Sequence, residues 1–154
     1  MKYFLIEPFS SINLPSISKN TNKDVIIVNR DINFDECDYD IKNNIISDRF
    51  KNLIEMYLPK YQFLPIIFLS EDRSIQSIYW KFEPINFENL EAKFRNDGKV
   101  SHIKFKTNKM PIAFSIISKR GVKSIVVKLP IAESALRRGI LGLKFTEVQK
   151  IIDL

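Results

Sequence analysis

The stretch Lys99–Leu129, KVSHIKFKTNKMPIAFSIISKRGVKSIVVKL, decides the fold. It is dominated by β-branched and aromatic residues and is broken by proline and glycine, which is the pattern of successive short strands. The strands are predicted over Lys99–Thr107, Ile112–Ser118 and Val122–Leu129. The tripeptide Lys119-Arg120-Gly121 fits a hairpin turn between the last two strands. We therefore expect a largely antiparallel sheet in this part of the chain.

Side chains alternate along the first of these strands. Ile103 and Phe105 share one face of it with Ser101 and Thr107. The other face carries His102, Lys104 and Lys106. Because successive side chains of a strand point to opposite sides of the sheet, we expect one core face and one hydrated, basic face.

Two helices flank the strand-rich segments. Ser47 is a good N-cap for a helix that ends before Pro59. Its apolar residues recur at helical spacing, at Phe50, Leu53, Ile54, Tyr57 and Leu58. A second helix is predicted from Pro130 to about Arg138, with Gly139 just past its end. Its apolar side is expected at Ile131, Ala132, Ala135 and Leu136.

The rest of the chain predicts further strands separated by loops. The strands are expected over Tyr3–Ile6, Asp24–Asn29, Ile66–Leu69 and Ser77–Phe82, the second of them as a buried strand. Pro8–Asn22 indicates a loop, Asn96-Asp97-Gly98 a turn, and Leu143–Ile152 fits either a strand or a short helix. The predicted fold is α+β, a mostly antiparallel sheet with two or three helices packed on it, in one domain over residues 1–154.

Charge is distributed unevenly along the chain. The formal net charge is +6, but residues 1–98 hold 12 Lys+Arg and 15 Asp+Glu, whereas residues 99–154 hold 12 Lys+Arg and 3 Asp+Glu. Eight basic residues and no acidic residue lie between Lys99 and Lys128, while acidic residues concentrate in Asp31–Asp40. Such segregation is typical either of an interaction surface or of hydrated sheet edges.

The residues needed for common catalytic and metal sites are scarce. Cys37 and His102 are the only cysteine and histidine, which is too few for a zinc site and gives no local support for a nucleophilic triad. The run Asp31–Asp35 begins like a calcium-binding EF-hand loop, but Glu36 stands at the glycine position and Lys42 at the bidentate glutamate position. We expect no cofactor, no metal and no enzymatic activity.

The single cysteine also bears on the compartment. One cysteine cannot form an intrachain disulfide, which fits a reducing environment. The apolar run at the N-terminus is cut short by Glu7 and Pro8, so it does not reach the length of a signal sequence. We expect a cytoplasmic protein with no membrane segment.

The basic strands permit a nucleic-acid interpretation. The candidate residues are Lys104, Lys106, Lys109, Lys119, Arg120 and Lys123. Phe105 and Phe114 interleave with them, so phosphate binding combined with base stacking is conceivable. Alternation, however, places both phenylalanines on the core face. Nucleic-acid binding is therefore the second hypothesis.

Three segments together resemble the immunity proteins of bacterial polymorphic toxin systems. They are the opening Met1–Pro8, the serine-capped amphipathic helix within Ile46–Glu55, and the ending that runs from Ser124–Lys128 into Ile131–Phe145. The middle of the chain, Tyr61–Thr107, departs from that pattern. The resemblance implies a non-enzymatic cytosolic protein that binds a cognate toxin domain and blocks it, without indicating which toxin or which oligomeric state.

Two surfaces are candidates for binding a toxin. An acidic segment could enter the basic cleft of a nuclease toxin by mimicking phosphates, and its aromatic residues suit binding hot spots. We favour this segment as the toxin-binding site, with the residues Phe34, Asp35, Glu36, Asp38, Tyr39 and Asp40. The alternative for Phe34 and Tyr39 is that they hold a loop against the core. If the toxin surface is acidic, the basic face within Lys99–Lys128 is the better dock.

Overall fold

The computed structural model describes residues 1–8, 25–28, 37–74 and 76–152. The chain divides into two compact units. A six-stranded unit comprises Met1–Glu7, Pro84–Leu136 and Lys144–Leu154, and a five-stranded unit comprises Pro8–Glu83 and Arg137–Leu143. That residues 1–154 form one domain stays a prediction.

The described residues form eleven strands and two helices. In chain order these are β1 (Tyr3–Pro8), β2 (Val25–Val28), β3 (Tyr39–Asp40), β4 (Ile45–Ser47), α1 (Asp48–Tyr57), β5 (Leu64–Ser70), β6 (Gln76–Lys81), β7 (Leu90–Phe94), β8 (Val100–Phe105), β9 (Ala113–Ile117), β10 (Lys123–Lys128), α2 (Leu129–Arg137) and β11 (Leu143–Lys150). The α+β class is thus confirmed in outline. No helix in the described ranges is long and apolar enough to cross a membrane.

The six-stranded sheet has the order β7-β8-β11-β1-β10-β9. The β7–β8, β1–β10 and β9–β10 pairs are antiparallel, whereas β11 runs parallel to β8. Its apolar face encloses one core of buried side chains: Tyr3, Leu5, Val100, Ile103, Phe114, Ile116, Val126 and Val148. The predicted hairpins at Gly98 and Gly121 both form, because each glycine adopts the positive φ that these turns require.

This sheet curls until its two edges approach each other. The segment just before β7 hydrogen-bonds to the outer edge of β9, with Phe87 N donating to Ser115 O at 2.9 Å and Ser115 N donating to Ile85 O at 2.7 Å. On the other side, Val100 N donates to Ser124 Oγ at 2.9 Å, although β11 and β1 lie between β8 and β10 in the sheet. A strongly curled sheet of this kind encloses its own core without needing a covering helix.

A bulge at the start of β8 shifts the alternation of its side chains by one residue. Lys93 pairs with His102 but Phe94 pairs with Val100, so Ser101 is the extra residue. Val100 and Ile103 therefore both point into the core, while Lys104 and Lys106 are exposed. The expected division into a core face and a basic face is confirmed from His102 onward.

The five-stranded sheet has the order β2-β5-β6-β4-β3, with β2 parallel to β5 and the other pairs antiparallel. Helix α1 begins as predicted, because Ser47 Oγ accepts a hydrogen bond from Phe50 N. Phe50, Leu53 and Ile54 are fully buried. A cluster on this unit contains Cys37, Ile45, Ile66, Phe68 and Tyr79.

Two local predictions need correction, and one left open is settled. The strand at Val25–Val28 is an edge strand with Val25 43% and Ile27 58% exposed, so the prediction of a buried strand is wrong. Leu136 is 67% exposed, because α2 buries only the face with Ile131, Ala132 and Ala135. The ambiguous C-terminal stretch is strand β11. The loop predicted over Pro8–Asn22 lies, from residue 9 onward, outside the described residues.

Gly98 gives a first test of the curl. Its φ is +87°, and a Cβ there would lie 2.7 Å from Val122 Cγ2 and 2.8 Å from Val122 Cβ. Gly98→Ala should therefore lower the free energy of unfolding by about 2–3 kcal/mol, measured by urea denaturation. Gly121→Ala is the matched control, because φ is +82° there but nothing lies within 4 Å. Equal losses in the two variants would contradict the close approach.

Candidate binding surfaces

The carboxylate of Asp38 is buried within the five-stranded unit. It is 3% exposed and accepts hydrogen bonds from Ser47 Oγ at 2.6 Å, from Arg49 Nε at 2.8 Å and from the backbone N–H of Leu141 at 2.6 Å. The Nη2 of Arg49 donates to its second oxygen and also to Gly139 O at 3.1 Å. Asp38 thus joins the cap of α1 to the segment that follows α2.

These bonds explain the electrostatics of Asp38. Burial acts to raise the pKa of its carboxyl, but the hydrogen bonds from Arg49, Leu141 and Ser47, together with the charge of Arg49, outweigh burial and hold the pKa below its ordinary value. A carboxylate whose oxygens are already occupied is not available to a partner. Asp38 therefore acts as a structural residue.

Tyr39 is also part of the interior. It is 2% exposed and packs edge-on against Phe50 and Phe82, with ring centroids 5.7 Å and 6.0 Å away. Its hydroxyl has no hydrogen-bond partner among the described residues. Tyr39 therefore holds β3 against α1, as the alternative hypothesis for this residue expected.

The remaining acidic-segment residues divide into two groups. The half-buried Asp40 accepts hydrogen bonds from the backbone N–H of Asn43 at 3.3 Å and from Asn43 Nδ2 at 2.8 Å, which closes a turn. Phe34, Asp35 and Glu36 lie outside the described residues. A toxin-binding role of the segment stays a prediction, and within it Asp38 and Tyr39 are buried.

A second buried carboxylate lies in the six-stranded unit. Glu7 is 8% exposed and accepts hydrogen bonds from Arg95 Nη2 and, at 3.0 Å, from Thr146 Oγ1. Burial raises the pKa of Glu7. The two hydrogen bonds and the charges of Arg95 and Lys144 lower it by more, so the net shift of the pKa is downward. Arg95 also binds Asp97, so its charge is neutralised within the unit.

The basic candidates all lie in the six-stranded unit. Lys104, Lys106, Lys109, Lys119 and Arg120 are exposed, and Lys123 is half-buried. The fold separates them into two groups. One group lies at the β9–β10 turn and the start of β10, and the other lies at the far end of β8 and just beyond it.

The turn group is partly engaged in holding the fold. Arg120 Nη2 donates to Asn96 O at 2.5 Å. Lys99 Nζ donates to Lys123 O at 2.7 Å, and burial lowers the pKa of Lys99. These two cations bind backbone carbonyls across the turns that the curl brings together, so their charge is less accessible than the sequence indicates.

The net charge follows the division into units. The six-stranded unit contains 13 Lys+Arg and 7 Asp+Glu, which accounts for the whole net charge of +6. The five-stranded unit contains 11 of each. The acidic segment thus belongs to a neutral unit, whereas the basic residues belong to a unit with a genuine positive excess.

A cleft opens in the six-stranded unit at the end of β8 that carries Lys104. Its volume is about 380 Å³. Its floor consists of buried Tyr3, Ile103 and Val148, and its rim includes Met110 and Lys150. Sequence reasoning missed this cleft, because it depends on β1, β8 and β11 being neighbours. Alternation identifies Ile103 as an inward residue but cannot supply the pairing.

Cys37 belongs to the five-stranded unit and His102 to the six-stranded unit. Cys37 is buried, and burial together with the nearby carboxylates of Asp40 and Asp38 raises the pKa of its thiol to about 11, which disfavours the nucleophilic thiolate. His102 Nδ1 lies 2.8 Å from Ser101 Oγ on the same strand. In the part of the chain that the structure describes, no three His, Cys, Asp or Glu side chains are grouped to hold a metal ion.

Comparison with known proteins gives no relative: no protein-family model matches the chain, and no curated protein matches it significantly.

The Asp38 site predicts a loss of stability on substitution. Asp38→Asn should lower the free energy of unfolding at pH 7 by about 2 kcal/mol, because the bonds to Arg49 lose their charge assistance and one oxygen acceptor is replaced by a donor. Glu55→Gln is the control, since the exposed Glu55 makes one ion pair, with Lys51 at 3.3 Å, and its substitution should change stability by less than about 0.5 kcal/mol.

The same pair of variants predicts a pH dependence. Because the pKa of Asp38 is lower in the folded state than in the unfolded state, its stabilisation is present at neutral pH and disappears as the pH falls through the folded pKa. The stability difference between the wild-type chain and Asp38→Asn should therefore shrink on acidification, measured by urea denaturation at successive pH values. A constant difference would show that Asp38 acts through packing alone.

Substitution of Tyr39 should change the free energy of unfolding in the opposite direction. Tyr39→Phe removes a buried hydroxyl without a described partner and should raise the free energy of unfolding by about 1 kcal/mol. Tyr79→Phe is the matched control, because the buried hydroxyl of Tyr79 donates to Cys37 O, and its removal should be destabilising. Thermal denaturation of both variants tests this, and destabilisation by Tyr39→Phe would reveal a hydrogen bond at its hydroxyl.

Proposed function

We propose that this chain is an immunity protein of the kind found in bacterial polymorphic toxin systems, acting in the cytoplasm. It binds a cognate toxin domain and neutralises it by covering a surface, without transforming a substrate. The resemblance at Met1–Pro8, Ile46–Glu55 and the C-terminal strand–helix–strand ending supports this proposal. The observation that carries it is the concentration of the entire net positive charge on one compact unit whose core is closed by its own curled sheet.

The basic residues are the favoured contact surface for the toxin. Asp38, from the acidic segment, is occupied by Arg49 and by the Leu141 N–H, whereas Lys106, Lys109 and Lys119 are exposed. The partner suited to these lysines is a toxin domain with an acidic patch around its active site. Long-range attraction between the two surfaces would speed their encounter, which suits a protein that must act before the toxin does.

Nucleic-acid binding is the second candidate, supported by the same lysines. Single-strand binding also needs aromatic side chains on which bases can stack. Phe114 is fully buried, and the half-buried Phe105 packs against the core residue Tyr3 and against Phe87. The interleaved phenylalanines are therefore core residues, and the lysines alone support only contacts to phosphate.

Charge reversal tests the proposal. The protein encoded immediately upstream is the candidate toxin, and co-expression of this chain should restore growth to cells that produce the toxin domain. The triple variant Lys106→Glu, Lys109→Glu, Lys119→Glu should lower the association rate with the purified toxin by about tenfold or more at low salt, and by less at high salt.

A variant of the acidic segment is the matched control. Asp35→Lys, Glu36→Lys, Asp40→Lys reverses three acidic charges and should leave the association rate unchanged or higher. If this variant abolishes protection while the lysine variant protects fully, the acidic segment is the toxin-binding site. If the chain protects against no neighbouring toxin but binds RNA or DNA in a salt-dependent manner, the nucleic-acid function replaces the proposal.

A further inference from the structure

The cleft of the six-stranded unit combines an apolar interior with a positively charged rim. Tyr3, Ile103 and Val148 form the floor and are each at most 5% exposed. Phe105 and Met110 continue the apolar wall, and Met110 is 40% exposed at the rim. The volume of about 380 Å³ falls in the range of clefts that hold small organic molecules.

The uncharged polar side chains that line the cleft are Tyr3, Thr107 and Asn108. The Tyr3 hydroxyl donates to Pro111 O at 3.2 Å, which fixes the position of the tyrosine ring in the floor of the cleft. Burial raises the pKa of Tyr3 to about 12, so the ring remains uncharged at neutral pH. The tyrosine therefore contributes an apolar face and no negative charge.

The charged groups that line the cleft are both cationic, Lys104 and Lys150. Lys104 is opposite Glu91 in the β7–β8 pair, so part of its charge is balanced. Lys150 is exposed and has no ion-pair partner among the described residues. The neighbouring Glu147 lies 3.8 Å from Lys2, which offsets its charge. Lys150 is thus the strongest uncompensated charge at the rim.

We propose that this cleft binds an amphipathic anion, a molecule with an unbranched apolar chain and a terminal carboxylate. The chain would lie on Tyr3, Ile103 and Val148, and the carboxylate would meet the Lys150 ammonium. This site is independent of the proposed toxin binding. The thioether of Met110 adapts to apolar surfaces of different shape, which suits a chain without rigid features.

Decanoate, kept below its micelle-forming concentration, is the probe. Titration of the full chain with methyl groups labelled for NMR should give saturable shifts at Met110, Ile103, Val148 and Ile151, which line the cleft. Ile131 on α2 does not line it and should not shift. Decanol should bind more weakly than decanoate, and decylammonium more weakly still, because Lys104 and Lys150 favour an anionic head.

Two charge-reversal variants separate a built site from general attraction. Lys150→Glu should weaken decanoate binding by about tenfold, because a carboxylate replaces the cation at the rim. Lys119→Glu makes the same change in net charge on the same unit, but Lys119 does not line the cleft, so its binding should match the wild type. Both lysines are exposed, so both variants should fold.

Three results would overturn the proposal. One is the absence of saturable shifts at the cleft methyl groups. Another is equal weakening by Lys150→Glu and Lys119→Glu, which would mean that only net charge matters. The last is a set of cleft shifts that appear with rising protein concentration and no decanoate, which would identify a second copy of the chain as the occupant. None of these outcomes is measured by the toxin-protection assay. The proposal of anion binding and the proposal of toxin binding can therefore each fail while the other holds.

Discussion

The approach of the Asn96–Gly98 turn to the start of β10 is the constraint on which the six-stranded unit depends. Gly98 has no side chain, so Val122 can pack against its backbone, and the Lys99 ammonium and the Val100 N–H then bond to β10. This contact joins strands that are not neighbours in the sheet. As a result, one face of the sheet encloses the core side chains, and the other face carries the exposed lysines. The cleft opens at the other end of β8, away from this closure.

Buried carboxylates determine which charges are left for recognition. Glu7 binds Arg95, and Asp38 binds Arg49, so in each compact unit one arginine pairs with a buried carboxylate. Arginine forms such bidentate, partly buried pairs well, whereas lysine is a compact and strongly hydrated charge that stays at the surface. The exposed basic residues of the six-stranded unit are mainly lysines. Lysines of this kind favour long-range attraction over fixed hydrogen-bond geometry, which fits a role in fast encounter.

Local patterns predicted much of the fold, whereas pairing between distant segments was beyond them. The Ser47 cap, the hairpins at Gly98 and Gly121 and the inward Ile103 depend on a few neighbouring residues, and all appear as expected. The parallel pairs β2–β5 and β8–β11 depend on contacts between remote segments, which periodicity cannot supply. The burial of Asp38 and Tyr39 in the acidic segment also depends on contacts with remote segments. The sequence around an aspartate and a neighbouring tyrosine does not distinguish an exposed pair from a buried one. The Leu141 N–H that donates a hydrogen bond to the buried Asp38 lies 103 residues away along the chain.

The number of basic residues in the sequence overstates the accessible positive charge at the β9–β10 turn and understates it at the cleft end of β8. Lys99 and Arg120 hold backbone carbonyls, and Lys123 is half-buried on β10. Beyond the end of β8, by contrast, Lys106 and Lys109 are exposed, and Lys150 of the neighbouring strand β11 lines the cleft. Positive potential and exposed apolar surface therefore coincide at one end of the unit. Electrostatic attraction alone brings many anions to a surface, but adjacent apolar area selects those with an apolar part. Recognition of an anion with an apolar part is accordingly expected at the end of β8, not at the turns where basic residues are equally dense in the sequence.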